Sequence, residues 1–208
     1  GMYGIYTEEE LQKFRDGSDP YGYPNTDWNK EVLLPRAWQQ MHSLTASGGS
    51  DKVKYFAGFG YVKQDALYGD TRTNKSTSGF NRYNARVNID ANIVDKYLNL
   101  SADMAYRQED RNSIAGSTSD VFNNMHRNPQ TDPGRFPDGN LGKVSLGVNP
   151  IGLASEGGWV KDRKSVLNTR FMLDFNVPGL EGLNLKGIFS YDKIFNSIKR
   201  WTTPVDFY

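Results

Sequence analysis

The chain has 208 residues, 25 Lys and Arg against 24 Asp and Glu, no cysteine, and a mean hydropathy of −0.67. The near-neutral balance carries no polybasic footprint and argues against nucleic-acid binding, and the missing thiols remove disulfide frameworks, cysteine catalysis and cysteine-ligated zinc. No apolar run approaches the ~18 residues of a membrane helix, although barrel strands that alternate lipid-facing and lumen-facing side chains escape that measure.

The opening Gly1-Met2-Tyr3-Gly4-Ile5-Tyr6 has neither the basic nor the apolar region of a signal peptide. It reads as an internal junction, and the final Pro204-Val205-Asp206-Phe207-Tyr208 reads as an interruption too. The following YTEEELQKFRDGSDP predicts a helix, with Thr7 as N-cap, Glu10 at the capping-box position and Gly17 as stop. A second short helix is expected from about Asp27 to Leu34, started by Asn25/Thr26 and ended before Pro35. Its apolar content is thin, so residues 1–37 are read as a helical lead-in of surface helices, and 38–208 as a β segment.

From Trp38 the period becomes two. Residues 39–47 and Val53–Val62 flank a Gly48-Gly49-Ser50-Asp51 turn. Tyr83, Ala85, Val87, Ile89, Ala91 and Ile93 alternate with Arg82, Asn84, Arg86, Asn88, Asp90 and Asn92. After a turn at Val94–Lys96, Leu98, Leu100, Ala102, Met104 and Tyr106 alternate with polar residues. A third pair, from Leu167 and from Leu183, brackets the turn Pro178–Gly182. Six strands of about ten or more residues exceed the usual soluble length of roughly 5–6 and match the ~9–11 that cross a bilayer. Tight turns alternate with long polar connections, about 64–81 and 108–165, as in an outer-membrane barrel. The long second connection is expected to hold a helix over Ser119–Arg127 and a tight turn at Pro137–Asn140.

Trp38, Tyr61, Tyr83, Tyr106 and Tyr191 all fall near the strand ends opposite the tight turns, the placement of an interfacial girdle. On the other face Arg86, Asp90, Asp103, Arg170 and Asp174 stand mid-strand. Those charges suit either a water-filled lumen or the wet side of a sandwich.

No GxSxG, HExxH, Walker A or GxGxxG motif is present, and His42 and His126 are far apart. Gly58-Phe59-Gly60 reads as close packing inside a strand. The carboxylate groups Glu8-Glu9-Glu10, Asp16/Asp19 and Asp132/Asp138 read as helix-dipole and turn chemistry, with calcium binding the lesser alternative. Trp28 and Trp159 could stack on a sugar, with packing beneath a loop the favoured reading. No catalytic, cofactor-binding or metal-binding residue is assigned, and no cofactor is expected. An enzyme is the least favoured class.

Three stretches, YTEEELQKFRDGSDPYGYPNTDW, HSLTASGGSDKVKYFAGFGYVKQDALYGD and FNRYNARVNIDANIVDKYLNLSADMAYR, resemble the SusC/RagA family of TonB-linked outer-membrane transporters. The resemblance is most specific over about residues 6–110. It implies a 22-stranded barrel with an N-terminal plug that imports glycans or peptides, powered through TonB and covered by a SusD-like surface lipoprotein. Against that pattern the sequence shows no leader domain, TonB box, plug or terminal strand, and so corresponds to an early section of the barrel with its outer loops. The fold class expected is mainly β, antiparallel long hairpins derived from a transmembrane β-barrel, with short helices near the N-terminus and in one long loop. The expected function is that of part of a nutrient-uptake transporter, located in the outer membrane, without independent activity. The alternatives are a soluble β-sandwich carbohydrate-binding module and a surface adhesion protein. An apolar face without lipid must pack on itself, on the 1–37 helices or on another copy, and open strand edges favour self-association.

Overall fold

The computed structural model describes residues 6–73, 75, 76 and 78–208, so the Gly1–Ile5 start lies outside the described residues. Period-two alternation becomes six strands: β1 (Gln39–Gly49), β2 (Val53–Asp65), β3 (Gly79–Val94), β4 (Leu98–Ile114), β5 (Gly158–Asn176) and β6 (Asn184–Thr202). They form one antiparallel sheet in the order β1-β2-β3-β4-β5-β6. The fold is therefore mainly β, built of long hairpins, and the sheet is open, with β1 and β6 as edges. A two-sheet sandwich is ruled out as the arrangement of the described residues, because all six strands belong to a single sheet.

The tight turns lie at 50–52, 95–97 and 177–183. Lys96 takes φ 68°, a left-handed position that normally favours glycine, and Gly179 and Gly182 supply the same region at φ 83° in the third turn. The connections at the other end run 66–78 and 115–157. They are shorter than the alternation indicated, since β4 continues to Ile114 and β5 begins at Gly158. Alternation ends where both faces of a hairpin are polar, but ladder hydrogen bonding does not need it.

Helix α1 (Glu8–Asp16) has the expected grammar. The Thr7 N–H donates to Glu10 Oε2 at 2.6 Å, the Glu10 N–H donates to Thr7 Oγ1 at 3.3 Å, and Gly17 closes the helix at φ 65°. Helix α2 (Trp28–Val32) departs from the reading in two ways. Its cap is Asp27, not the Asn25/Thr26 pair, and Trp28 and Val32 are buried rather than on a surface helix. Two further helices, α3 (Thr118–Arg127) and α4 (Pro150–Ser155), lie within the 115–157 connection; α3 matches the expected helix, and α4 was not foreseen.

The core sits at one end of the sheet, not on a face. Trp28, Val32, Ile114, Val121, Met125, Leu141, Ile151 and Ala154 form one buried cluster, with Val205 and Phe207 packed against it. Helix α2, the long connection and the chain after β6 thus join into a cap. Beyond the cap, the sheet's described buried hydrophobic is Val62. The apolar face packs neither on itself nor on the 1–37 helices, two of the three coverings expected for it. The accessible surface shows the deficit: 14168 Å², against roughly 9,800 Å² for a self-contained monomer of this mass.

Candidate functional site

Register divides the sheet into two chemically distinct faces. One carries Val53–Tyr61, Tyr83–Ala91, Leu98–Tyr106 and Leu167–Phe175 at alternate positions. From the tight turns to the tyrosines this face is apolar for about nine residues per strand, the length of a tilted membrane-crossing strand. Farther out the same face turns polar, through Lys63, Asn81, Asp110 and Arg163. Val87 (42% exposed), Phe171 (42%) and Phe189 (62%) lie open in this isolated chain.

The aromatics mark where the apolar band ends. Tyr61 and Tyr83 are register partners with ring centroids 5.0 Å apart, and His42 stacks on Tyr61 at 6.2 Å. The five aromatics do not share one row. Trp38 lies outside the row of His42, Tyr106 lies inside the row of Gln108, and Tyr191 lies farther inside the row of Phe195. The line descends by about 1.6 residues per strand, close to the ~1.5 residues demanded by a 4.8 Å strand spacing at roughly 45° tilt. A level girdle must cross register rows obliquely when strands tilt.

The opposite face holds a polar ladder. Asp103 is the register partner of both Asn88 and Arg170; it accepts a hydrogen bond from Asn88 and pairs with Arg170 Nε at 3.3 Å. In the adjacent row Arg86 Nε donates to Asn88 Oδ1 at 2.8 Å, and Asn168 donates to Asp192 at 2.7 Å. Of the five charges expected here, Arg86, Asp103 and Arg170 come together. Asp174 instead accepts from Asn184, and Asp90 lies in register with Lys54 and Ser101. This ladder lines a shallow cavity of about 420 Å³. Glycine keeps the same face low on β2, where a Cβ at Gly60 would collide with the Asn84 side chain.

The cap is stapled by buried polar groups. Thr26 Oγ1 donates to the Asp132 carbonyl at 2.6 Å and accepts from the Gly134 N–H at 3.0 Å, while Trp28 Nε1 donates to the Pro129 carbonyl at 3.2 Å. Asn149 donates to the Gly134 and Gly142 carbonyls at 2.7 and 2.9 Å. An ionic chain crosses its surface, with Asp70–Arg72 at 3.1 Å and Arg135–Glu156 at 2.6 Å. Partial burial pushes the Asp70 carboxyl up, but hydrogen bonds from the Arg72 side chain and amide outweigh it and hold the group below its usual value. The Lys30 amide does the same for Asp27.

The remaining residues singled out by sequence have ordinary partners. Asp132 accepts from the Ser145 N–H and hydroxyl, Asp138 from Asn140, Asp16 from Ser18 and Asp19 from Gly22. His126 bonds the Phe122 carbonyl within α3. Among the described residues no cluster of three His, Asp or Glu could hold a metal. Trp28 is core, whereas Trp159 is not under a loop but on β5, in register with Trp201. The sequence reading missed Trp201 and the outer halves of β5 and β6, although counting back from the Asn176↔Asn184 pair at the turn locates every partner.

No family model matches the sequence, and no curated protein does. Solved structures do. A chain of the RagAB peptide importer in its "open-open" state superposes at a TM-score of 0.66 with 16% identity, covering 97% of this chain and 24% of that one. A RagAB peptide transporter structure gives 0.61 with 16% identity, over 88% of this chain and 22% of the other. At that identity the likeness is one of fold. The chain spans about a quarter of the length of the importer chain it matches, and its open sheet shares the fold of that part of the longer chain.

Proposed function

We propose that the chain is a section of a TonB-dependent outer-membrane transporter of the SusC/RagA type, contributing six neighbouring barrel strands and part of the outer surface. The observation that carries this reading is the uncovered apolar band, bounded by an oblique aromatic line and backed by a polar ladder. In a barrel the apolar face meets lipid and the ladder meets the lumen or whatever fills it. The fold likeness to RagAB chains and the wording of the β2–β4 hairpins point the same way. On this reading the complete transporter imports peptides or oligosaccharides with a SusD-like lipoprotein as partner and TonB as energy source, and the six strands alone transport nothing.

The test is residue-by-residue labelling in intact cells. Single cysteines replace Asn84 through Ile89 in turn, and a membrane-impermeant maleimide reports access. Labelling at Asn84, Arg86 and Asn88 with protection at Ala85, Val87 and Ile89 is expected. Uniform labelling of both faces would sink the barrel reading.

A further inference from the structure

Beyond the aromatic line, the apolar-band face of β5 and β6 carries a feature that barrel architecture does not require. Lys161 and Lys199 are direct register partners, and like charges placed opposite each other destabilise a strand pair. Lys161 has strands on both sides, so its surroundings are set by the fold: Asn112 on β4 and Lys199 on β6 share its row. The neighbouring carboxylate, Asp110, is already engaged by Arg163 Nε at 2.5 Å. Among the described residues neither lysine has an acidic partner. Lys161 Nζ lies 4.6 Å above the Trp159 ring, and Trp201, across from Trp159, is 61% exposed with its Nε1 donating to Thr203. Asn112, Ser197, Arg163 and the two lysines line an open pocket of about 370 Å³, whose wall also includes Asp110, held by Arg163, and Asp162, in register with Ile198.

We infer that this surface binds the phosphorylated sugar headgroup of an outer-leaflet glycolipid. A phosphate between Lys161 and Lys199 would turn a repulsive pair into two charge-assisted hydrogen bonds. The exposed Trp201 indole offers a flat apolar surface for a sugar ring, and Asn112 and Ser197 offer hydroxyl partners. The height fits a sugar headgroup and excludes acyl chains, since on β6 Lys199 lies well outside Tyr191, ~26 Å along the strand or roughly 19 Å of height at 45° tilt. The face matters equally: the site looks away from the ladder, toward the surrounding leaflet. This inference rests on the barrel reading above.

The experiment uses the full-length transporter purified from membranes in detergent, with short-chain lipopolysaccharide, the same glycolipid after phosphatase treatment, and inorganic phosphate as probes. Lys161→Gln/Lys199→Gln is compared with Lys164→Gln/Arg200→Gln, which removes the same charge from the opposite face. Retention of lipopolysaccharide is expected to fall about tenfold or more in the first variant and to hold in the second, with the dephosphorylated lipid bound as weakly as by the first variant. Equal loss in both variants, or inorganic phosphate competing as well as the glycolipid, would overturn the site. Heat-modifiable electrophoretic mobility separates the two levels of claim. A protein that shows no barrel species overturns the architecture and the site with it, whereas a folded barrel with unchanged retention overturns the site alone.

Discussion

Trp28 shows how much the cap depends on single side chains. It is 5% exposed, its indole N–H is bonded to Pro129, and its ring touches the cluster that gathers α2, α3 and α4. Trp28→Ala should cost about 3–5 kcal/mol of cap stability. Proteolytic nicking within 115–157 is expected to rise sharply while amide exchange in β3–β5 stays slow; loss of protection in the strands as well would mean that cap and sheet are one cooperative unit. Asp27 and Asp70 carry a pH signature. Both carboxyls sit below their usual pKa, so what they contribute is present above the ordinary value near ~4 and is lost as pH falls through the lower folded value. Amide protection at α2, taken relative to the unstructured exchange rate at each pH, should therefore fall as the pH drops below ~4, and Asp27→Asn should show the low protection at neutral pH already.

At the scale of the strand, face decides tolerance. Val87→Arg puts a charge in the middle of the apolar band and should destabilise the membrane-assembled barrel by roughly 2–4 kcal/mol. Asn88→Arg, one residue away on the ladder face, should leave assembly intact. Urea titration of the folded barrel, read by electrophoretic mobility, distinguishes them, and equal sensitivity would mean that the faces are assigned wrongly. The same contrast explains what was legible in the sequence. Alternation of Tyr83–Ile93 against Arg82–Asn92 identified strands, face and turn because one side is apolar and the other polar. Outside the aromatic line Lys161, Asp162, Arg163 and Lys164 are all polar, so no period marks a strand there, and yet the β5–β6 ladder continues to Gly158 and Thr202. The burial of α2 was hidden for another reason. Its partners, Val121 to Ala154, lie about a hundred residues downstream, and two apolar residues in a five-residue helix do not announce a core.

As a whole the molecule has more surface than a chain of its mass should show, because both faces of the sheet are bare and both edges are open. Expressed alone in water, the chain should associate through those edges and the apolar band; light scattering is expected to report large species that detergent micelles disperse. A stable, monodisperse monomer without detergent would contradict the exposure described. The cap has a further consequence, in the order of folding. Every strand pairs with its sequence neighbours, so the sheet can zip up hairpin by hairpin from local contacts. The cap cannot. It joins Thr26 to Asp132, Leu34 to Leu67, and Lys143 and Leu141 to Tyr208, pieces that span nearly the whole chain. Its closure must await the arrival of β6 and the six residues beyond it, which makes the cap a late checkpoint: it reports that all six strands are in register before the outer surface is sealed.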